Sequence, residues 1–198
     1  MSTYQPIPTV RALEAQHIAH PQMHADLSTD APARSLLIDF REQRPPVIDG
    51  HLEAGEAKIR MRMADSALKL VLNPAEDCIG LLTLKDVLGR KAMSRAHEMA
   101  LPPEEVPIHD IMRPIGRLPA ITIEDLEAAR VGDLVYTFND VHEEHMLVIE
   151  DTPEGDSVAL RGVITASHLT RRLRVSLDSR ARATSFAEIV QAVNGQFD

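Results

Sequence analysis

The chain has 198 residues, enough for one domain or for two small units that share a core. Hydrophobic residues make up 44%, which excludes wholesale disorder, and aromatics only 3%, which argues against sugar platforms and base-stacking sheets. A net charge of -9 repels phosphate backbones, so no nucleic-acid partner is expected; no apolar run reaches the roughly 18 residues of a membrane span, so no membrane partner is expected either. The start, Met-Ser-Thr-Tyr-Gln-Pro, has neither a basic nor an apolar stretch of a leader, and the lone Cys78 has no internal disulfide partner. A cytoplasmic setting is expected.

In chain order, Thr9 caps a short helix over Val10 to His20 that ends at Pro21. A second short helix is expected over Ala33 to Phe40, then a break at Pro45–Pro46 and a short strand at Val47–Ile48. His51 to Met63 reads as a helix and Ala67 to Leu72 as a buried strand. Asn73 to Asp77 is a turn, Ile79 to Leu82 a strand, and Leu84 to about Ala100 a helix broken near Gly89. After Pro102–Pro103 the order recurs. Asp110 to Pro114 leads into a strand at Ala120 to Ile123, a helix over Glu124 to Phe138 with Gly132 near its middle, and a strand at Met146 to Glu150. A hairpin loop at Thr152 to Ser157, a strand at Val158 to Ile164 and a helix at Ala166 to Leu173 follow. Arg174 to Leu177 suggests an extra strand, and Phe186 to Val193 a terminal helix.

The recurrence is numerical. Pro46-Val47-Ile48 matches Pro119-Ala120-Ile121 at an offset of 73 residues, and Gly80-Leu81-Leu82-Thr83 matches Gly162-Val163-Ile164-Thr165 at an offset of 82. One strand–helix–strand–strand–helix unit cannot cover both faces of its own sheet, so two are expected to pack together.

The chemistry concentrates in Gly80-Leu81-Leu82-Thr83-Leu84-Lys85-Asp86, where a threonine ends a strand and an acid follows one turn into a helix. By residue chemistry alone, Thr83 and Asp86 form a helix cap. With the Asp110-Ile111-Met112-x-Pro114 lead-in and the order of elements, the motif resembles the CBS domain over residues 32 to 175, and the chain resembles bacterial proteins that are little more than a tandem CBS pair. The resemblance implies an α/β fold: two CBS-type repeats packed as one Bateman module with an N-terminal helical arm and a C-terminal helix. Residues 1–31 would form the arm, 32–101 and 102–175 the repeats, and 176–198 the tail.

In that family the threonine and the acid bind an adenosine nucleotide, the acid holding the ribose diol. The resemblance assigns those roles to Thr83 and Asp86, with the adenine in an apolar slot near Val47, Ile48, Leu70, Leu72 and Leu82. The second copy reads Thr165 and His168. A neutral imidazole cannot grip a diol as a carboxylate does, so this site is expected to be degenerate. The implied function is a non-catalytic sensor, without a required cofactor, that binds AMP, ADP, ATP or another adenosine derivative. The alternative is a structural interaction module with empty sites. The resemblance also implies a homodimer through helical faces, with Leu84, Val87, Leu88, Ala166 and Leu169 expected to be exposed.

Other patterns are weaker. His17, His20 and His24, and separately His142 to His145, have ligand-type residues, but Pro21 and a helix end disturb the geometry, so no metal site is expected. Cys78 reads as a structural thiol whose pKa is raised by the acidic neighbours Glu76 and Asp77. Eleven acids against one base lie between Glu124 and Asp156, and six arginines against one acid between Arg161 and Arg182. These read as two solvated faces or, alternatively, as a basic patch that meets phosphate or an acidic partner.

Overall fold

A computed structural model describes residues 27–152 and 157–173. The expected helix at 10–20, the histidines 17, 20 and 24, the strand at 174–177, the arginines 174, 180 and 182, and the helix at 186–193 lie outside the described residues.

The elements run in chain order as β1 (Ile38–Asp39), β2 (Val47–Asp49), α1 (Ala54–Met63), β3 (Leu68–Leu72), β4 (Cys78–Thr83), α2 (Leu84–Leu88) and α3 (Arg90–Met99). The second half adds α4 (Ile108–Ile111), β5 (Arg113–Pro114), β6 (Ala120–Thr122), α5 (Ile123–Ala128), α6 (Val131–Val141), β7 (His145–Asp151), β8 (Val158–Thr165) and α7 (Ala166–Arg172). They build two four-stranded sheets, ordered β2-β3-β4-β5 and β1-β8-β7-β6. In each, a parallel pair (β2 with β3, β6 with β7) adjoins an antiparallel hairpin (β3 with β4, β7 with β8).

The sheets exchange strands. β1 precedes the first hairpin in sequence but pairs with β8, so Ile38 faces Val163 and Asp39 faces Gly162. β5 leads into the second half but pairs with β4, so Arg113 faces Leu81 and Pro114 faces Gly80. Short bridges repeat the exchange between Pro32 and Arg130 and between Glu53 and Pro107.

Alternation along the strands sorts three cores. Leu82 and Val71 pack under α1 to α4 with Ala57, Met61, Val87 and Ile108. Ile164 and Val148 pack under α5 to α7 with Leu126, Phe138 and Leu169. Leu81, Leu147 and Val163 point the other way and meet between the sheets, flanked by Ile38 and Leu68.

Two local expectations are corrected. Residues 33–40 do not form one helix: a 3-10 turn covers Ala33–Leu36 and the chain then extends into β1, because β8 offers it a pairing edge. The helix expected over 124–138 is two helices. Their junction at Ala129–Arg130 is where residues 31 to 33 dock: Ala33 N donates to Ala129 O and Val131 N to Ala31 O, so tertiary bonds replace helical ones. Gly132 lies inside α6. The break at Gly89 is present, between α2 and α3. No described helix is long and apolar enough to cross a membrane.

Candidate functional site

The motif segment closes on itself as a capping box. Thr83 N donates to Asp86 Oδ2 at 2.8 Å, Thr83 Oγ1 donates to the same oxygen at 2.6 Å, and Asp86 N donates to Thr83 Oγ1 at 3.2 Å. The second copy keeps half of this, with His168 N donating to Thr165 Oγ1 at 3.1 Å. The threonine thus ends a strand and starts a helix in both halves.

A cleft of about 450 Å³ opens between the sheets, where β4 and β8 end. This lies within the roughly 300–1,000 Å³ of small-molecule sites. Its apolar wall is Ile38, Pro46, Ala67, Leu68, Leu84 and Val163. Its polar groups are Asp65, Ser66, Thr83, Lys85, Glu144, His145, Thr165 and Ser167. Lys85 Nζ meets Glu144 Oε1 at 3.1 Å between two exposed side chains, a pair worth only about 0–1 kcal/mol and free to rearrange. Thr165 and Ser167 hydroxyls lie 3.1 Å apart on the same wall.

Of the residues singled out in the sequence, Thr83 and Thr165 line this cleft, while Asp86, His168, Val47, Ile48 and Leu82 do not. Ile48 and Leu82 are buried in the first helix-covered core, and Val47 is 45% exposed. Leu70 is buried and Leu72 half-buried, both off the cleft wall. Leu82 points to the helices, whereas its neighbour Leu81, with Leu70 opposite it, faces the partner sheet. The wall residues that sequence reasoning missed, Ile38, Leu68 and Val163, share the period-two signal of Leu81. Only the strand exchange brings Ile38 to them.

Asp86 is off the cleft wall, on α2, which packs with Ile111 two residues before Arg113. It acts electrostatically on His145 and Lys91, and Lys91 donates to Met112 O. Arg113 Nη1 donates to Glu143 Oε2 at 2.6 Å, and its Nη2 lies 2.6 Å from His145 Nδ1. Burial, then the Arg113 charge, lower the His145 pKa to about 4. The imidazole is therefore neutral at pH 7, and its Nδ1 accepts from Arg113. Burial first, then Arg172 and Arg171, also lower the pKa of His168, whose buried Nδ1 has no hydrogen-bond partner.

The remaining expectations sort as follows. Arg161 belongs to neither a solvated face nor a basic patch. It is buried between the halves, with Nε and Nη2 on the two oxygens of Asp39 at 2.8 and 2.7 Å and Nη1 on Glu150 at 2.8 Å. The Cys78 pKa is raised by burial, not by its acidic neighbours, and a weak bond to Gly80 O opposes the rise. Glu143, Glu144 and His145 are engaged by Arg113 and Lys85. Among the described residues no group of three or more His, Cys, Asp or Glu side chains could hold a metal ion. The apolar face proposed for pairing points inward: Val87, Ala166 and Leu169 are buried in the two helix-covered cores. Leu88 is exposed, and so are Ile59 and Met63 of α1 and Tyr136 of α6.

Comparison with known proteins agrees on the fold. A crystal structure of an uncharacterized conserved protein from Pyrococcus horikoshii superposes with a TM-score of 0.52 at 19% identity, covering 77% of this chain and 99% of that one. A conserved CBS domain protein of unknown function from Thermoplasma acidophilum gives 0.51 at 16% identity, over 80% of this chain and 77% of that one. A hemolysin-like protein containing a CBS domain, from Oenococcus oeni, gives 0.50 at 17% identity, over 73% and 91%. No protein-family model and no curated protein sequence matches the chain. The chain has the tandem CBS-pair fold.

Proposed function

We propose that this CBS pair is a non-catalytic regulatory module that takes an adenosine derivative in the cleft between its sheets. The observation that supports this most is the cleft itself: an apolar arm of Ile38, Pro46, Leu68 and Val163 opens beside hydroxyls from both halves of the molecule. A flat base suits the apolar arm, and polar groups placed around it fix orientation. Asp65 lines the same wall, and a carboxylate there can accept both hydroxyls of a ribose diol. Thr165, Ser167 and Lys85 are the groups available to a phosphate. The cleft holds two carboxylates, Asp65 and Glu144, against the one ammonium of Lys85. That balance favours a ligand of low negative charge, AMP over ATP.

The competing reading, a structural interaction module, draws on the closed Thr83–Asp86 cap, which is complete without a ligand. Thermal unfolding with adenosine, AMP, ADP and ATP separates the two. A ligand at one hundred times its dissociation constant adds about 2.7 kcal/mol to stability. Ala67→Trp, at an exposed wall position, fills the cleft and is expected to abolish the shift. A parent protein unmoved by all four compounds would favour the structural reading.

A further inference from the structure

We propose that Arg113 is a built-in plug that shuts one of two symmetry-related arms of the cleft and so limits it to one ligand per chain; this rests on the ligand-binding reading above.

The internal symmetry is explicit in the backbone. Ile38 faces Val163 as Arg113 faces Leu81. Leu70 N donates to Pro46 O as Leu147 N donates to Pro119 O, and Leu84 N donates to Ala67 O as Ala166 N donates to Glu144 O. Leu68 stands opposite Thr83 as His145 stands opposite Thr165. Both members of the pairs Ala67/Glu144, Leu68/His145 and Thr83/Thr165 line the cleft, so it straddles the pseudo-twofold axis. Away from the axis it extends one way only, past Ile38, Pro46 and Ser66; the counterparts Arg113, Pro119 and Glu143 are not on its wall.

Where the open arm has Ile38, the closed arm has a guanidinium. Both of its clamps come from Glu143 to His145, the segment equivalent to Ser66 to Leu68 of the open arm. The same stretch that walls one arm grips the side chain that fills the other. The charge-assisted bond to Glu143 holds the plug in place. Asp86, the motif acid, sits on α2, whose Val87 packs with Ile111, two residues before Arg113, which puts it on this closed side. The open arm lies on the His168 side, because α7 packs with Leu36, two residues before Ile38.

The test is Arg113→Ile, which gives the closed arm the residue of the open one, read by calorimetry with AMP on the full chain. One site per chain in the parent and two in the variant are expected. If the variant does not fold, Glu143→Ala, which releases one clamp at a half-buried position, is read the same way. A parent that binds one AMP and variants that also bind only one would overturn the plug and leave the proposed function standing. A silent parent with a variant that binds one AMP would sustain the plug and remove the open arm as a ligand site. Absence of binding in parent and variants alike would overturn both.

Discussion

Asp39 and Arg161 are 4% and 9% exposed, and they join β1 to β8 in a bidentate pair. Glu150, itself held by Arg41, takes the third guanidinium bond. Removing one member leaves the others charged and buried, so Arg161→Met is expected to cost about 3–5 kcal/mol in denaturant unfolding. Arg161 first, opposed by burial and helped by Arg41 N, holds the Asp39 pKa down from 3.8 to about 2. The folded value is depressed, so this contribution is whole above pH 3.8 and is lost as pH falls through about 2. An acid titration of stability should lose that step in Asp39→Asn. Asp86→Ala removes a capping carboxylate that serves both Thr83 N and Thr83 Oγ1, and should cost about 1 kcal/mol. In Arg113→Ile, the His145 ring should titrate by NMR above its parent value of about 4, because one of the charges that depress it is gone while Glu144 and Asp86 remain. The cap was legible in the sequence because its partners are three residues apart. The Arg113 clamp was not, because Glu143 and His145 are 30 and 32 residues away and no local pattern links them.

The exchanged strands explain the glycine of each motif. A Cβ on Gly162 would strike Ile38 O and Leu37 Cδ1, and one on Gly80 would strike Arg113 O and Met112 Sδ. Each glycine therefore leaves room for the strand that arrives from the other half. Gly162→Ala should push β1 away and cost about 1–3 kcal/mol, with faster hydrogen exchange at Phe40 N, which bonds Arg161 O. An exchange rate at that amide equal to the parent's would contradict this. The chain order of elements and the repeat were readable because glycine, alternating apolar residues and a terminal threonine recur together. The exchange itself was not, since β1 and β8 are brought together across more than a hundred residues. That same blindness hid Ile38 from the expected ligand slot and made residues 33–40 read as a helix.

The two halves share one plan and differ where it matters for function. Arg113 stands for Ile38, His168 for Asp86, and the buried Asp39–Arg161 pair for Pro114 and Ile79. The second sheet is thus pinned to its exchanged strand by charge, the first is not, and the cleft on the pseudo-axis is left with one open arm. The most direct measurement is a two-dimensional amide NMR titration of the full chain with AMP. Shifts are expected at Ile38, Ser66, Ala67, Leu68, Val163, Thr165 and Ser167. Shifts centred instead on Lys91, Arg113 and Asp86, or none at millimolar AMP, would contradict the account.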